Sequence, residues 1–125
     1  MIKKTLIAGG VLALALVAGQ AFAGECSDDQ QSTAGMLAAG IGKDAVSKVV
    51  AVTGKQMVNV ESCEFGGGKY TIDFKYNFLA ADGLYWVEIT SKFDAAGNGA
   101  TAKVTKSSPN MAAAEAKAGV KLAAN

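Results

Sequence analysis

The 125-residue chain contains no histidine, and all 12 of its basic residues are lysine. Each absence removes a chemistry. Without imidazole there is no serine triad, no Cys–His dyad and no nitrogen donor for zinc. Without arginine there are no guanidinium forks for phosphate, and the lysines are scattered instead of gathered into a stripe. Nucleic acid is therefore not an expected partner. Cysteine is limited to Cys26 and Cys63, which form no Cys-x-x-Cys redox pair and have no companions for a metal site. The stretch "GGGK" at residues 66–69 echoes a phosphate loop. It lacks the full spacing and the following Ser or Thr, and it leads into a strand, so no nucleotide cofactor is expected. Asp73 and Glu88 are the best candidates for a carboxylate pair. They fall on the polar side of two strands, where Lys75 is the natural partner of Glu88, and a solvated face accounts for them. Catalysis, metals and cofactors all lack a residue set.

What is present begins with an address. "MIKKTLIAGGVLALALVAGQAFA" places Lys3 and Lys4 before an apolar run and ends on Ala21-Phe22-Ala23. A basic start, a short apolar stretch and small residues before a cut describe a bacterial-type secretory signal over residues 1–23. The run from Leu6 to Ala18 is shorter than the ~20 residues a membrane span needs. No lipobox precedes Cys26, so stable membrane insertion is not expected either way. The expected location is the periplasm or the exterior. Removing Lys3 and Lys4 from 12 lysines leaves ten against 11 acids, a formal charge of −1 on residues 24–125. That remainder is one small domain, read as a monomer. In an oxidising compartment Cys26 and Cys63 are expected to pair, contributing about 3–4 kcal/mol by closing a long loop.

The pattern after the signal is α then β. Ser27 with Gln30 three residues on forms a capping box, and Asp28 and Asp29 suit the first turn of a helix. Leu37, Ile41, Ala45 and Val49 recur every fourth residue, with Val46, Val50 and Val52 widening the stripe and Gly54 as a stop. Gly35, Gly40 and Gly42 each cost about 1 kcal/mol against alanine, so a break near Gly40–Gly42 is an open alternative. From Gln56 the period becomes two. Four strands follow, "QMVNVESCEF", "KYTIDFKYNFL", "LYWVEITSKF" and "ATAKVTKS", separated by turn residues.

The central hairpin can be registered on paper. A loop over residues 80–83 sets Leu79 against Leu84, Phe78 against Tyr85, Tyr76 against Val87 and Phe74 against Ile89. A loop over residues 66–68 pairs Val60 with Phe74, but it also sets Glu64 beside Tyr70 and turns Cys63 and Phe65 outward. Either a bulge near Ser62 re-aims the strand or those residues lie on the outer side. The last strand is an edge guarded by Lys103 and Lys106. The tail, residues 108–125, opens on Ser108-Pro109 and reads as an alanine-rich helix. It is weakly docked, with Met111, Val120 and Leu122 as its few large apolar residues.

Two candidate surfaces follow. Tyr70, Ile72, Phe74, Tyr76 and Phe78 form the sheet face that the helix stripe covers. The hydroxyls of Tyr70, Tyr76 and Tyr85 make them candidate rim residues of a pocket cupped between helix and sheet. On the opposite face Trp86, with Asn77, Leu79 and Leu84 around it, is a candidate contact surface unless the C-terminal helix covers it. A helix followed by a four-stranded meander, over about Ser27 to Ser107, resembles the cystatin-like architecture in topology. Cystatins inhibit proteases through a Gln-x-Val-x-Gly loop. Here "QMVNV" supplies Gln56 and Val58 with Val60 in the glycine position, and Tyr85 precedes Trp86 where the family has Pro-Trp, so no inhibitory residue is carried over. The expected function is a non-catalytic binding or envelope-accessory role. The alternatives are cystatin-like inhibition of a protease and carriage of a small apolar ligand.

Overall fold

A computed structural model describes residues 24–122; the segment read as a secretory signal lies outside them. The order of elements is β1 (Gly24–Glu25), α1 (Asp28–Val46), β2 (Gln56–Gly66), β3 (Lys69–Ala80), β4 (Gly83–Asp94), β5 (Thr101–Ser107) and α2 (Pro109–Ala118). The class is α+β: one long helix, a five-stranded antiparallel sheet in sequence order, and a short C-terminal helix.

α1 starts as its sequence dictates. The Ser27 hydroxyl accepts from Gln30 N–H at 3.2 Å, and Ser27 N–H donates to Gln30 Oε1 at 2.9 Å, closing the capping box. The helix then runs through Gly35, Gly40 and Gly42 without a break and stops at Val46, earlier than the Gly54 stop. Packing explains the continuity. The fully buried row is Ala34, Ala38, Gly42 and Val46, while the expected stripe of Leu37, Ile41, Ala45 and Val49 is only half-buried. A Cβ on Gly42 would lie 2.6 Å from Cγ of Tyr76. Large rings from the sheet need a shallow helix surface, so the small residues face inward and the branched ones flank them. Loss of helix propensity at Gly42, about 1 kcal/mol, is offset by the close approach it allows.

The aromatic row is buried as its alternation implied. Ile72, Phe74, Tyr76 and Phe78 are 0 % exposed and Tyr70 is 4 % exposed. The β3–β4 hairpin has the expected register throughout, from Leu79↔Leu84 to Phe74↔Ile89. The β2–β3 hairpin differs. Its turn is the two residues Gly67 and Gly68, both in the left-handed region (φ 61° and 74°), as a tight hairpin with natural twist requires. Phe65 therefore pairs with Tyr70 and Glu64 with Thr71, correcting the Glu64–Tyr70 pairing. The register then slips between Val60 and Ser62, so that Val60 still meets Phe74 and Val58 still meets Tyr76. The extra residue, Glu61, lets both halves of the strand send apolar side chains to the same face.

The fifth strand comes from the disulfide. Cys26 and Cys63 are bonded across a sequence separation of 37, with Cα atoms 5.4 Å apart. Gly24 and Glu25 are thereby laid against Phe65 and Glu64, and Cys26 N–H donates to Cys63 O at 3.0 Å. At the other end of the chain, α2 inserts Met111 fully into the core. Its Glu115 is 7 % exposed and accepts from the Ser107 hydroxyl (3.1 Å) and from Leu122 N–H (3.0 Å). Those two bonds satisfy a carboxylate that burial would otherwise penalise.

Candidate functional site

The face of the sheet turned away from α1 carries the polar alternates of β3 and β4, and its middle is cross-linked by side chains. Asp73 accepts from Ser62 (2.9 Å) on β2 and from Thr90 (2.6 Å) on β4. Asn77 donates to Met57 O (3.2 Å) and to Asn59 Oδ1 (2.9 Å), tying β3 to β2. Asn77 and Trp86 are directly paired across β3 and β4, and Lys75 Nζ stands 4.4 Å from the Trp86 ring centroid, within cation–π range. The lysine thus lies over one face of the indole.

Beyond this polar ladder the face becomes apolar. Leu79 and Leu84 are paired across the hairpin end and are 39 % and 60 % exposed, and Met57, opposite Asn77, is 58 % exposed. The backbone beneath is fixed: Leu79 O accepts from Thr53 and Gly54 N–H (3.0 and 3.1 Å), and Leu79 N–H donates to Lys55 O (2.9 Å). Three large apolar side chains thus stand on a rigid corner beside Trp86. The contact residues named from sequence, Trp86, Asn77, Leu79 and Leu84, share this region. Met57 was missed, although the Val58–Tyr76 pairing already implied that Met57 faces outward.

α2 lies beside the indole without closing over it. Between Trp86 and the helix runs an open groove of about 590 Å³, walled by Thr105, Lys106 and Ser107 of β5 and by Ala112 and Ala116 of α2. Trp86 is half-buried as a result. Nothing in the sequence announced this groove, because it depends on where the tail settles.

The three tyrosines stand on the other side of the sheet. Tyr70 packs between Phe65 and Phe93, with ring centroids 4.6 and 5.5 Å away. The Tyr76 hydroxyl donates to Gln56 Oε1, and burial pushes its pKa up to about 12. The Tyr85 hydroxyl donates to both carboxylate oxygens of Asp82 (2.8 and 3.0 Å), and that hydrogen bond, then burial and the Asp82 charge, raises its pKa. Gln56, Val58 and Val60 all lie within β2, with Gln56 at its first position.

Among the described residues no group of three or more His, Cys, Asp or Glu is placed to hold a metal ion, and no helix is long and apolar enough to cross a membrane. The open face offers hydrogen-bonding groups, an indole and exposed aliphatic carbon on a stiff frame, which is the equipment for contact. Comparison with family models, with curated proteins and with solved structures found no match for this chain.

Proposed function

We propose that the protein is an exported, non-catalytic binding or envelope-accessory protein whose contact surface is the Trp86 corner of the open sheet face. One observation carries the reading: Met57, Leu79 and Leu84 stand exposed together beside a half-buried tryptophan on hydrogen-bonded strands. Single exposed apolar residues are ordinary, but a contiguous group on rigid strands favours recognition. Pre-ordering lowers the entropy lost on association. The disulfide supports an oxidising location, where such a bond persists.

The alternatives draw less support. A cystatin-like inhibitor would want its Gln-x-Val segment at a loop tip, whereas Gln56 and Val58 belong to a paired strand. A carrier would want an opening lined by the three tyrosines, whereas their rings pack in the core cluster and two of their hydroxyls are engaged by neighbours.

Trp86 is the only tryptophan, so its fluorescence reports on this corner alone. Titration with fractionated envelope extract is expected to shift or quench the emission, and Leu79→Ser with Leu84→Ser to abolish the change. An emission spectrum indifferent to every fraction would remove the basis of the assignment.

A further inference from the structure

The two long edges of the sheet are complementary to each other. Among the described residues β1 and Cys26 cover β2 only from Cys63 to Phe65, which leaves the stretch from Gln56 to Ser62 without a strand partner on that side. β5 ends the sheet at the opposite edge. Bare edges invite pairing with another chain, and the charges placed along them decide which pairing is allowed. The free stretch of the β2 edge carries exposed Glu61, with Glu64 and Glu25 just past it where β1 is paired and exposed Lys55 just before it. The β5 edge is basic, with exposed Lys103 and Lys106, and Lys121 standing at the groove beside it. Two β5 edges would set Lys103 and Lys106 against one another and repel. β2 against β5 instead brings Glu61 to the lysines.

Shape agrees with charge. Heights across the sheet follow from the registers: Met57 pairs with Asn77, Asn77 with Trp86, and Ser108 N–H donates to Trp86 O at 2.9 Å. The exposed Met57 on one edge therefore stands level with Trp86 and the start of α2 on the other. That is where the open groove of about 590 Å³ lies. By the same count Ser62, next to Glu61, is level with Lys103 through Asp73 and Thr90. A neighbour that continues the sheet at this height, turned by the sheet's own twist, would set its Met57 at the groove and its Glu61 beside Lys103. Strand direction also permits this. β2 and β5 run in opposite senses, so an added copy contributes an antiparallel strand.

We infer that the β5 edge with its Trp86–α2 groove is a docking site for the β2 edge of a second copy of this chain, giving head-to-tail assembly by sheet extension. The contact is heterologous, so each added copy presents the same free edge again and the product is an open chain. This inference shares Trp86 and Met57 with the proposed contact surface but makes no use of Leu79 or Leu84, and it is read by a different measurement.

The test uses the disulfide-bonded protein alone, by sedimentation velocity over a concentration series at low and high salt. Concentration-dependent species larger than the monomer are expected at low salt and should recede as salt screens the edges. Glu61→Lys with Glu64→Lys, and separately Lys103→Glu with Lys106→Glu, should each weaken self-association by about tenfold or more. Mixing the two variants should restore it, because each then offers the edge that the other needs. All four positions are exposed, so circular dichroism should stay unchanged. Leu84→Ser should leave assembly intact. A wild type that stays monomeric at every concentration overturns the inference. So does self-association that neither reversal weakens, or two weakened variants that remain monomeric when mixed.

Discussion

β3 and β4 send alternate residues to two faces that behave as opposites. On the α1 side Phe74, Tyr76, Phe78 and Val87 are 0 % exposed, and the helix presents only the small residues Ala34, Ala38 and Gly42 to them. On the other side Lys75, Asn77 and Trp86 are half-buried and Leu84 is 60 % exposed, and order comes from side-chain hydrogen bonds and a cation–π contact. One face is held by exclusion of water and close packing, the other by directional bonds in contact with water. The first has no room for change. The second can be altered residue by residue and is therefore where recognition can be built.

The comparison breaks most visibly at Phe74. Phe74→Ala should cost about 3–5 kcal/mol in chemical denaturation, since a ring lost beneath α1 leaves a cavity that a packed sheet closes only in part. Removing the staple by Cys26→Ser with Cys63→Ser should cost about 3–4 kcal/mol and release β1, which hydrogen exchange at the residue-26 amide, the donor to the residue-63 carbonyl, would register. Within α1 two glycines sharpen the contrast. Gly42→Ala puts a methyl 2.6 Å from the Tyr76 ring and should destabilise by about 1–3 kcal/mol, whereas Gly40→Ala meets nothing within 4 Å and should stabilise by about 0.5–1 kcal/mol.

Tyr76 adds a pH dependence to the closed face. Its hydroxyl is pushed from 10.0 to about 12 in the folded protein. The folded state keeps the proton at pH values where the unfolded chain has begun to lose it. Its contribution is complete below pH 10 and is lost as pH rises toward about 12, so denaturation midpoints should fall across that window. Tyr76→Phe should flatten that part of the fall. The smallest effect belongs to the open face. Leu84→Ser should shift stability by no more than about 0.5 kcal/mol while reducing partner-dependent changes in Trp86 emission.

Much of this was legible residue by residue. The capping box at Ser27 and Gln30 is a local interaction and needs no tertiary context. The β3–β4 register followed because shifting it by one residue would turn Phe74, Tyr76 and Phe78 into water. The β2–β3 hairpin was harder, because three glycines allow several turns and only the shared demand of Phe65 and Val60 for the core forces a bulge at Glu61. The inward row of α1 was misplaced by one position. A periodicity count favours the largest apolar residues, while the space left by facing aromatic rings favours the smallest.

For the candidate site the division is similar. Trp86, Asn77, Leu79 and Leu84 could be grouped from alternation alone, since strand periodicity fixes which side of a sheet a residue occupies. Whether α2 would bury the indole or merely flank it was open. The tail's alanines carry little preference, and its position is set by Met111 entering the core and by Glu115 bonding Ser107 and Leu122.

By itself, then, the order of residues determined the α-then-β plan, the helix start, the central hairpin and the pairing of two cysteines, all consequences of local preference or strict two-residue alternation. Tertiary structure decided which side of α1 faces inward, where β2 bulges, that the tethered N-terminus becomes a strand, and that a groove opens beside Trp86. Those outcomes depend on how much space large rings occupy between layers, which is a property of the assembled packing and of no single stretch of chain.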